Sequence, residues 1–178
     1  MVLKEKTLEV KEIFKGKVIE LTHEKVELEN GHQAMRELIH HNGGVCVVPV
    51  DDEGCVYMVK QFRYPFKDVL LEIPAGKLEK GEDHRECGIR ELKEEIGAEA
   101  QNVNYLGCIY PTVAYDTEVI HMYLARGLSF GEQHLDEGEF IDVVKMPLEQ
   151  AYEMIMNNEI PDAKTQTAIL KAYLLLKK

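Results

Sequence analysis

The chain has 178 residues, of which 45% are apolar and 30% charged, enough for one packed domain with a small appendage. No apolar run approaches the roughly 20 residues of a membrane helix, and the first residues carry no apolar leader stretch, so the expectation is a cytoplasmic enzyme with no membrane partner. A net charge of −11 speaks against a nucleic-acid partner and requires that any phosphate ligand be met by local arginines, lysines or a metal.

The elements follow in chain order. Residues 7–40 read as β-structure of their own, with Asn30-Gly31 as a hairpin turn between Val26-Glu-Leu28 and Ala34 to Ile39. His40-His-Asn-Gly-Gly44 is a hinge. The domain expectation is therefore a small antiparallel β-domain over residues 1–40 and a larger domain over 41–178. Val45 to Val50 and Cys55 to Phe62 read as central strands around the turn Asp51-Asp-Glu-Gly54. Further strand signals fall at 102–109, 118–125 and 140–145, and helical patterns at 82–97, 147–157 and 162–177, the last started by Asp162. Mixed order with strands in excess predicts α+β, a mixed β-sheet flanked by helices. Cys46, Cys55, Cys87 and Cys108 form no CxxC pair and are expected as reduced, mostly buried thiols.

The chemistry concentrates in the helix near residue 90. At 100° per residue, Arg85, Ile89, Leu92 and Ile96 fall on one side, and Glu91, Glu94 and Glu95 cluster on the other. Like charges at such spacing destabilise a helix, and a divalent cation would relieve them. Oxygen-only ligands favour Mg²⁺ or Mn²⁺, and such ions can neutralise a pyrophosphate and activate water. A solvated acidic face is the alternative for the cluster taken alone. A zinc site from His84, Cys87 and Glu91 lacks a fourth ligand motif and is set aside.

The surrounding pattern decides between these. Gly76, Glu82, Arg90-Glu91-Leu92, Glu94-Glu95 and Gly97 stand at the spacing of the Nudix box, here residues 76–98, with Ala98 the weaker fit at the end. Leu92 apart, which fills an apolar class, seven fixed letters coincide by chance on the order of 10⁻⁸ times per start site, so the chain resembles the Nudix hydrolase family by more than accident. That resemblance implies a Nudix fold, with Glu91 and Glu95 as metal ligands, Glu94 as a further ligand or catalytic carboxylate, and the carbonyl of Ala75 as another donor. It gives Glu82 and Arg90 structural roles, and Gly76 and Gly97 backbone ones.

Gln61-Phe-Arg63-Tyr-Pro65 and Leu71-Glu72-Ile-Pro-Ala75-Gly-Lys-Leu78 resemble the approach to the box in the ADP-ribose pyrophosphatase branch. This implies hydrolysis of the diphosphate bridge of a nucleoside diphosphate sugar, ADP-ribose giving AMP and ribose 5-phosphate. Other nucleoside diphosphate sugars or dinucleotides, and a non-catalytic nucleotide-binding module, are the alternatives. Arg63 is then a phosphate contact, or else an ordinary surface ion pair. Glu72 reaches substrate or is a polar strand-end residue, and Arg36 is grouped with them as a substrate contact. Thr112-Val-Ala114 stands where the branch usually has Ser-Pro-Gly. Leu135 to Val143 resembles the loop that contributes a catalytic glutamate, Glu139 first and Glu137 second, with a solvated acidic loop as the alternative. The branch often exchanges N-terminal strands within a homodimer, and residues 1–40 have the length and pattern for it.

Overall fold

The computed structural model describes residues 3–177, so residues 1, 2 and 178 of the two expected domains lie outside the described residues. The chain is α+β, and the described residues divide into two compact units. The first comprises the described residues up to 43 together with 110–119; the second comprises 44–109 and the described residues from 120 onward.

In the first unit, β1 (Lys6–Lys15), β2 (Glu20–Glu27) and β3 (Gln33–His40) form an antiparallel sheet in that order. Gly31, at φ 80°, turns the chain between β2 and β3, as Asn-Gly sequences do. Residues 110–119 join through a bridge of Ile39 to Asp116, with the Ile39 N–H donating to the Tyr115 carbonyl at 2.7 Å. Thr22 and Val26 are buried, whereas all ten residues of β1 are exposed, including Leu8, Val10, Ile13 and Phe14.

The second unit opens with β4 (Gly44–Pro49), every residue of which is buried, as a continuous apolar run requires. Then come β5 (Cys55–Arg63), β6 (Asp68–Glu72), β7 (Ala75–Lys77), α1 (His84–Ile96), β8 (Ala98–Ile109), β9 (Ile120–Phe130), β10 (Ile141–Pro147), α2 (Leu148–Met156) and α3 (Ala163–Leu176). One sheet has the order β7-β4-β9-β8, with β4 and β9 parallel and the other pairs antiparallel; the other is the antiparallel β10-β5-β6. One apolar cluster, with Met58, Ile73, Met122 and Ile169, gathers α2 and α3. The other, with Val45, Cys87, Leu92, Ile96 and Tyr123, seats α1. Among the described residues no helix is long and apolar enough to cross a membrane.

Three sequence expectations need correcting. β8 begins at Ala98, not near 102: Ala98-Glu-Ala-Gln101 has helical propensity, but pairing with β9 from Phe130 onward overrides it. The buried face of α1 carries Cys87, Gly88, Leu92, Glu95 and Ile96, so the stripe is rotated; Arg85 is exposed and Ile89 only half-buried. The cysteines are free, but only Cys46 and Cys87 are buried; Cys108, on the edge strand β8, is exposed.

Candidate active site

The site grows from the way α1 starts and stops. Asp83 caps it, its carboxylate accepting the N–H groups of Arg85 at 2.9 Å and Glu86 at 3.2 Å. Gly97 ends it in the left-handed region at φ 65°, donating to the Lys93 carbonyl at 3.0 Å. The following loop then uses the exposed carbonyls of the last turn. Gln133 donates its side-chain amide to the Glu95 carbonyl at 2.5 Å, the His134 N–H donates to the Glu94 carbonyl at 3.0 Å, and the Gly131 N–H to Gly97 at 2.7 Å. Residues 131–134 are thereby fastened to the glutamate-bearing helix, and the segment from 135 to 140 starts beside it.

Glu95 is buried, with 2% of its surface exposed. Its Oε2 accepts the Ala75 N–H at 2.9 Å, which brings the strand preceding the box against the helix. Burial pushes the Glu95 carboxyl up to about 8; the Ala75 N–H opposes this, and the Glu91 and Glu139 charges add to it. Burial likewise raises Glu91, against Arg90 and with Glu94 and Glu139. Gly76 lies so close to Glu91 that a Cβ there would fall 1.8 Å from Glu91 Oε1. Glycine at this position is a steric requirement of the carboxylate's place, not of backbone flexibility.

Arg90 gathers the remaining charge. Its guanidinium lies 3.1 Å from Glu82 Oε1, 2.8 Å from Glu91 Oε1 and 2.8 Å from Glu94 Oε2. Glu82 also accepts the Glu79 N–H at 2.9 Å, tying the loop before α1 to the arginine. One cation thus serves three carboxylates, and Glu95 is left outside its reach. Cys87 donates its thiol to the Lys77 carbonyl at 3.6 Å, and burial pushes that thiol up to about 12. His84 is hydrogen-bonded to the Tyr123 hydroxyl and stacks on His121.

Buried carboxylates that repel one another, beside a main-chain segment at Ala75, make a set of hard oxygen donors that fits a divalent cation. The α1 glutamates are not drawn together as tightly as a second group. Among the described residues, Asp51, Glu53 and Cys55 have ligand atoms within 4.8 Å of one another. Lys145 already supplies the cation there, at 2.8 Å from both Asp51 and Glu53. Among the described residues no lysine pairs with the α1 glutamates of the box, and Arg90 draws Glu91 and Glu94 to itself.

Arg63, at the end of β5, gives Nε to Glu72 Oε1 at 2.6 Å and Nη2 to Glu72 Oε2 at 2.8 Å, which leaves Nη1 for another partner. Glu72 is itself 2% exposed, so this bidentate pair is buried at its carboxylate end and half-exposed at its guanidinium. Glu72 is lowered because Arg63 and Lys164 outweigh the effect of burial. In the loop, Glu139 is half-buried and its N–H donates to the Asp136 carbonyl at 3.0 Å, while Glu137 is exposed. In the first unit, Arg36 is held by Glu5, at 2.6 and 3.0 Å. Thr112 there accepts the Asp116 N–H at 3.2 Å, a turn built without the Ser-Pro-Gly sequence. Sequence reasoning missed Lys164: Asp162 was legible as a helix start, but nothing local announces that the next turn reaches Glu72.

Comparison with known proteins agrees with this geometry. The NUDIX domain model matches residues 40–168. An ADP-ribose pyrophosphatase of Bacillus subtilis is 45% identical over 98% of this chain and 95% of its own. A methanol dehydrogenase activator of Bacillus methanolicus is 41% identical over 93% of this chain and 90% of its own. The crystal structure of an ADP compounds hydrolase superposes with a TM-score of 0.89, covering 99% of this chain and 96% of that one at 22% identity, a likeness of fold. With a family model spanning most of the chain and the box residues assembled around a buried glutamate, the chain belongs to the Nudix hydrolase family.

Proposed function

We propose that the protein hydrolyses the diphosphate bridge of ADP-ribose, giving AMP and ribose 5-phosphate, with Mg²⁺ or Mn²⁺ as cofactor. The observation that carries this is the buried Glu95 beside Ala75 and Glu91, a carboxylate environment that a cation would complete. The 45% identity to an ADP-ribose pyrophosphatase over nearly the whole chain supports the choice of sugar.

Glu91, Glu95 and the Ala75 carbonyl would hold the metal, with Glu94 as a further donor once Arg90 yields it. A divalent cation in that place supplies charge neutralisation on the diphosphate and acidifies water. The chain's own groups do the rest. Arg63 Nη1 meets a phosphate oxygen with the guanidinium already oriented by Glu72, so little side-chain entropy is lost on binding. Glu139 is the base that takes the proton from the attacking water, with Glu137 second in line.

The test is a screen of purified protein over ADP-ribose, ADP-glucose, GDP-mannose and dinucleotides, with and without EDTA. ADP-ribose should give the highest kcat/KM; chelation should abolish turnover, and Mg²⁺ or Mn²⁺ should restore it. Metal-free hydrolysis at the full rate would sink the metal assignment, and preference for another substrate would move the sugar.

The same proposal includes a cytoplasmic homodimer with exchanged N-terminal strands, in which Arg36 serves the partner's substrate. The free thiols suit a reducing compartment. Support for the dimer comes from β1, an edge strand on which the apolar Leu8, Val10, Ile13 and Phe14 are each exposed. Monomeric proteins rarely leave an edge strand this apolar uncovered. Deleting residues 1–40 should convert a dimer into a monomer or an aggregate in size-exclusion chromatography and cut activity with it. A soluble, monomeric and fully active truncation would refute the exchange.

A further inference from the structure

Helix α3 enters the site from the far end of the sequence. Asp162 caps it, accepting the Thr165 N–H at 3.0 Å and the Thr165 hydroxyl at 2.5 Å. The same hydroxyl oxygen accepts the buried Ile73 N–H at 3.1 Å, at the point where the chain leaves β6 for the box. Between them, Lys164 donates to Asp162 at 2.9 Å and to Glu72 Oε2. Glu72 therefore stands between two cations, with Arg63 on both oxygens and Lys164 on one.

The charges explain why two cations are needed. Arg63 and Lys164 together balance Glu72 and Asp162. Without Lys164, two carboxylates would share one guanidinium. Arg63 would also be the sole partner of a buried carboxylate, which favours the closed pair over any contact outside it. With Lys164 in place Glu72 is satisfied from behind, and the half-exposed Arg63 can turn Nη1 outward. Lys164 itself has only 12% of its side chain exposed and does not reach solvent as a free cation.

We propose that Lys164 is a positioning residue for substrate binding, acting through Glu72 to hold the Arg63 guanidinium for the diphosphate. This rests on the assignment of Arg63 as a diphosphate contact. The effect is on binding rather than on the chemical step, because the cluster carries no group that takes part in bond cleavage.

The experiment uses the full chain with ADP-ribose and Mg²⁺. Lys164→Met should raise KM on the order of tenfold, the scale of one charge-assisted contact, with kcat changed little. Arg63→Ala should raise KM by at least as much, and the double variant should be no worse than Arg63→Ala alone, because the two act in one chain of contacts. Lys164→Arg, which restores the cation, should recover most of the loss. Since Lys164→Met strands a buried carboxylate, Glu72→Gln/Lys164→Met removes one charge of each sign and should show the same KM rise in a protein that folds. If Arg63→Ala raises KM and neither Lys164 variant does, the positioning role is overturned. Additive losses in the double variant would mean that Lys164 acts on binding independently of Arg63 and would overturn the positioning role as well. An unchanged KM in Arg63→Ala would instead refute the phosphate contact, and the role of Lys164 with it.

Discussion

Glu95→Gln is expected to lower kcat by roughly 10²–10⁴-fold and, in EDTA, to raise the melting temperature. The two effects have one cause. Metal ions at phosphoryl sites contribute several kcal/mol of transition-state stabilisation, and each ~1.4 kcal/mol is tenfold in rate. Glu95 is the most deeply buried of the α1 carboxylates, and Arg90 does not neutralise it. In the absence of metal its ionisation is a cost to the fold, from burial first and from Glu91 and Glu139 beside it. Glutamine keeps the oxygen that accepts the Ala75 N–H and removes the charge. Relief of about 1 kcal/mol would raise Tm by roughly 2–4 °C for a chain of this size. Calorimetry in EDTA and steady-state kinetics in Mg²⁺ check the pair. A variant that is both inactive and destabilised without metal would mean that Glu95 holds the fold, not a cation.

What could be seen in the sequence was what local rules control. The Asn30-Gly31 turn, the continuous run from Val45 and the caps at Asp162 and Gly97 each have a local physical cause, and each lies where it was expected. Spacing placed Glu91, Glu94 and Glu95 on neighbouring faces of one helix, but it put them opposite an apolar stripe. The actual packing turns α1 so that Glu95 itself is buried beside Leu92 and Ile96. Gly88 lies on that buried face, where a Cβ would come within 3.1 Å of Val45 and 3.3 Å of Val47 on β4, and no periodicity argument weighs a glycine as a contact surface.

The same limit hid β6 and β7, whose five and three residues are too short to show a period. It also hid the partners of Arg63. The motif identified the arginine and Glu72, while Lys164 lies 92 positions from Glu72 in the chain. Local spacing carries charge and apolarity along one element; it says nothing of which distant side chain balances a buried carboxylate. The candidate site was therefore legible as a list of ligands, and the contacts that orient them were not.

The loop from 131 to 140 carries the other large effect. Hydrolysis needs water to lose a proton as it attacks, and a carboxylate next to the reacting phosphorus can take it. Glu139 has the better position of the two loop glutamates. It is half-buried, in a turn closed by its own N–H on Asp136 and shaped by Gly138 at φ 87°. Its charge bears on both Glu91 and Glu95, so it stands close to the carboxylates that would hold the cation. Glu137, two residues earlier, points its surface to solvent. Because Gln133 and His134 are bonded to the last-turn carbonyls of α1, the loop's start is fixed before any substrate arrives. Glu139→Gln should therefore lower kcat by ~10²–10⁴-fold, the usual worth of a general base, with KM changed much less and metal binding retained. Glu137→Gln should stay near the parent rate. A large loss at Glu137 alone would move the base there. If neither substitution slows single-turnover hydrolysis, the loop holds no base, and proton removal falls to the glutamates of α1, of which Glu94, drawn aside by Arg90, would be the next to replace.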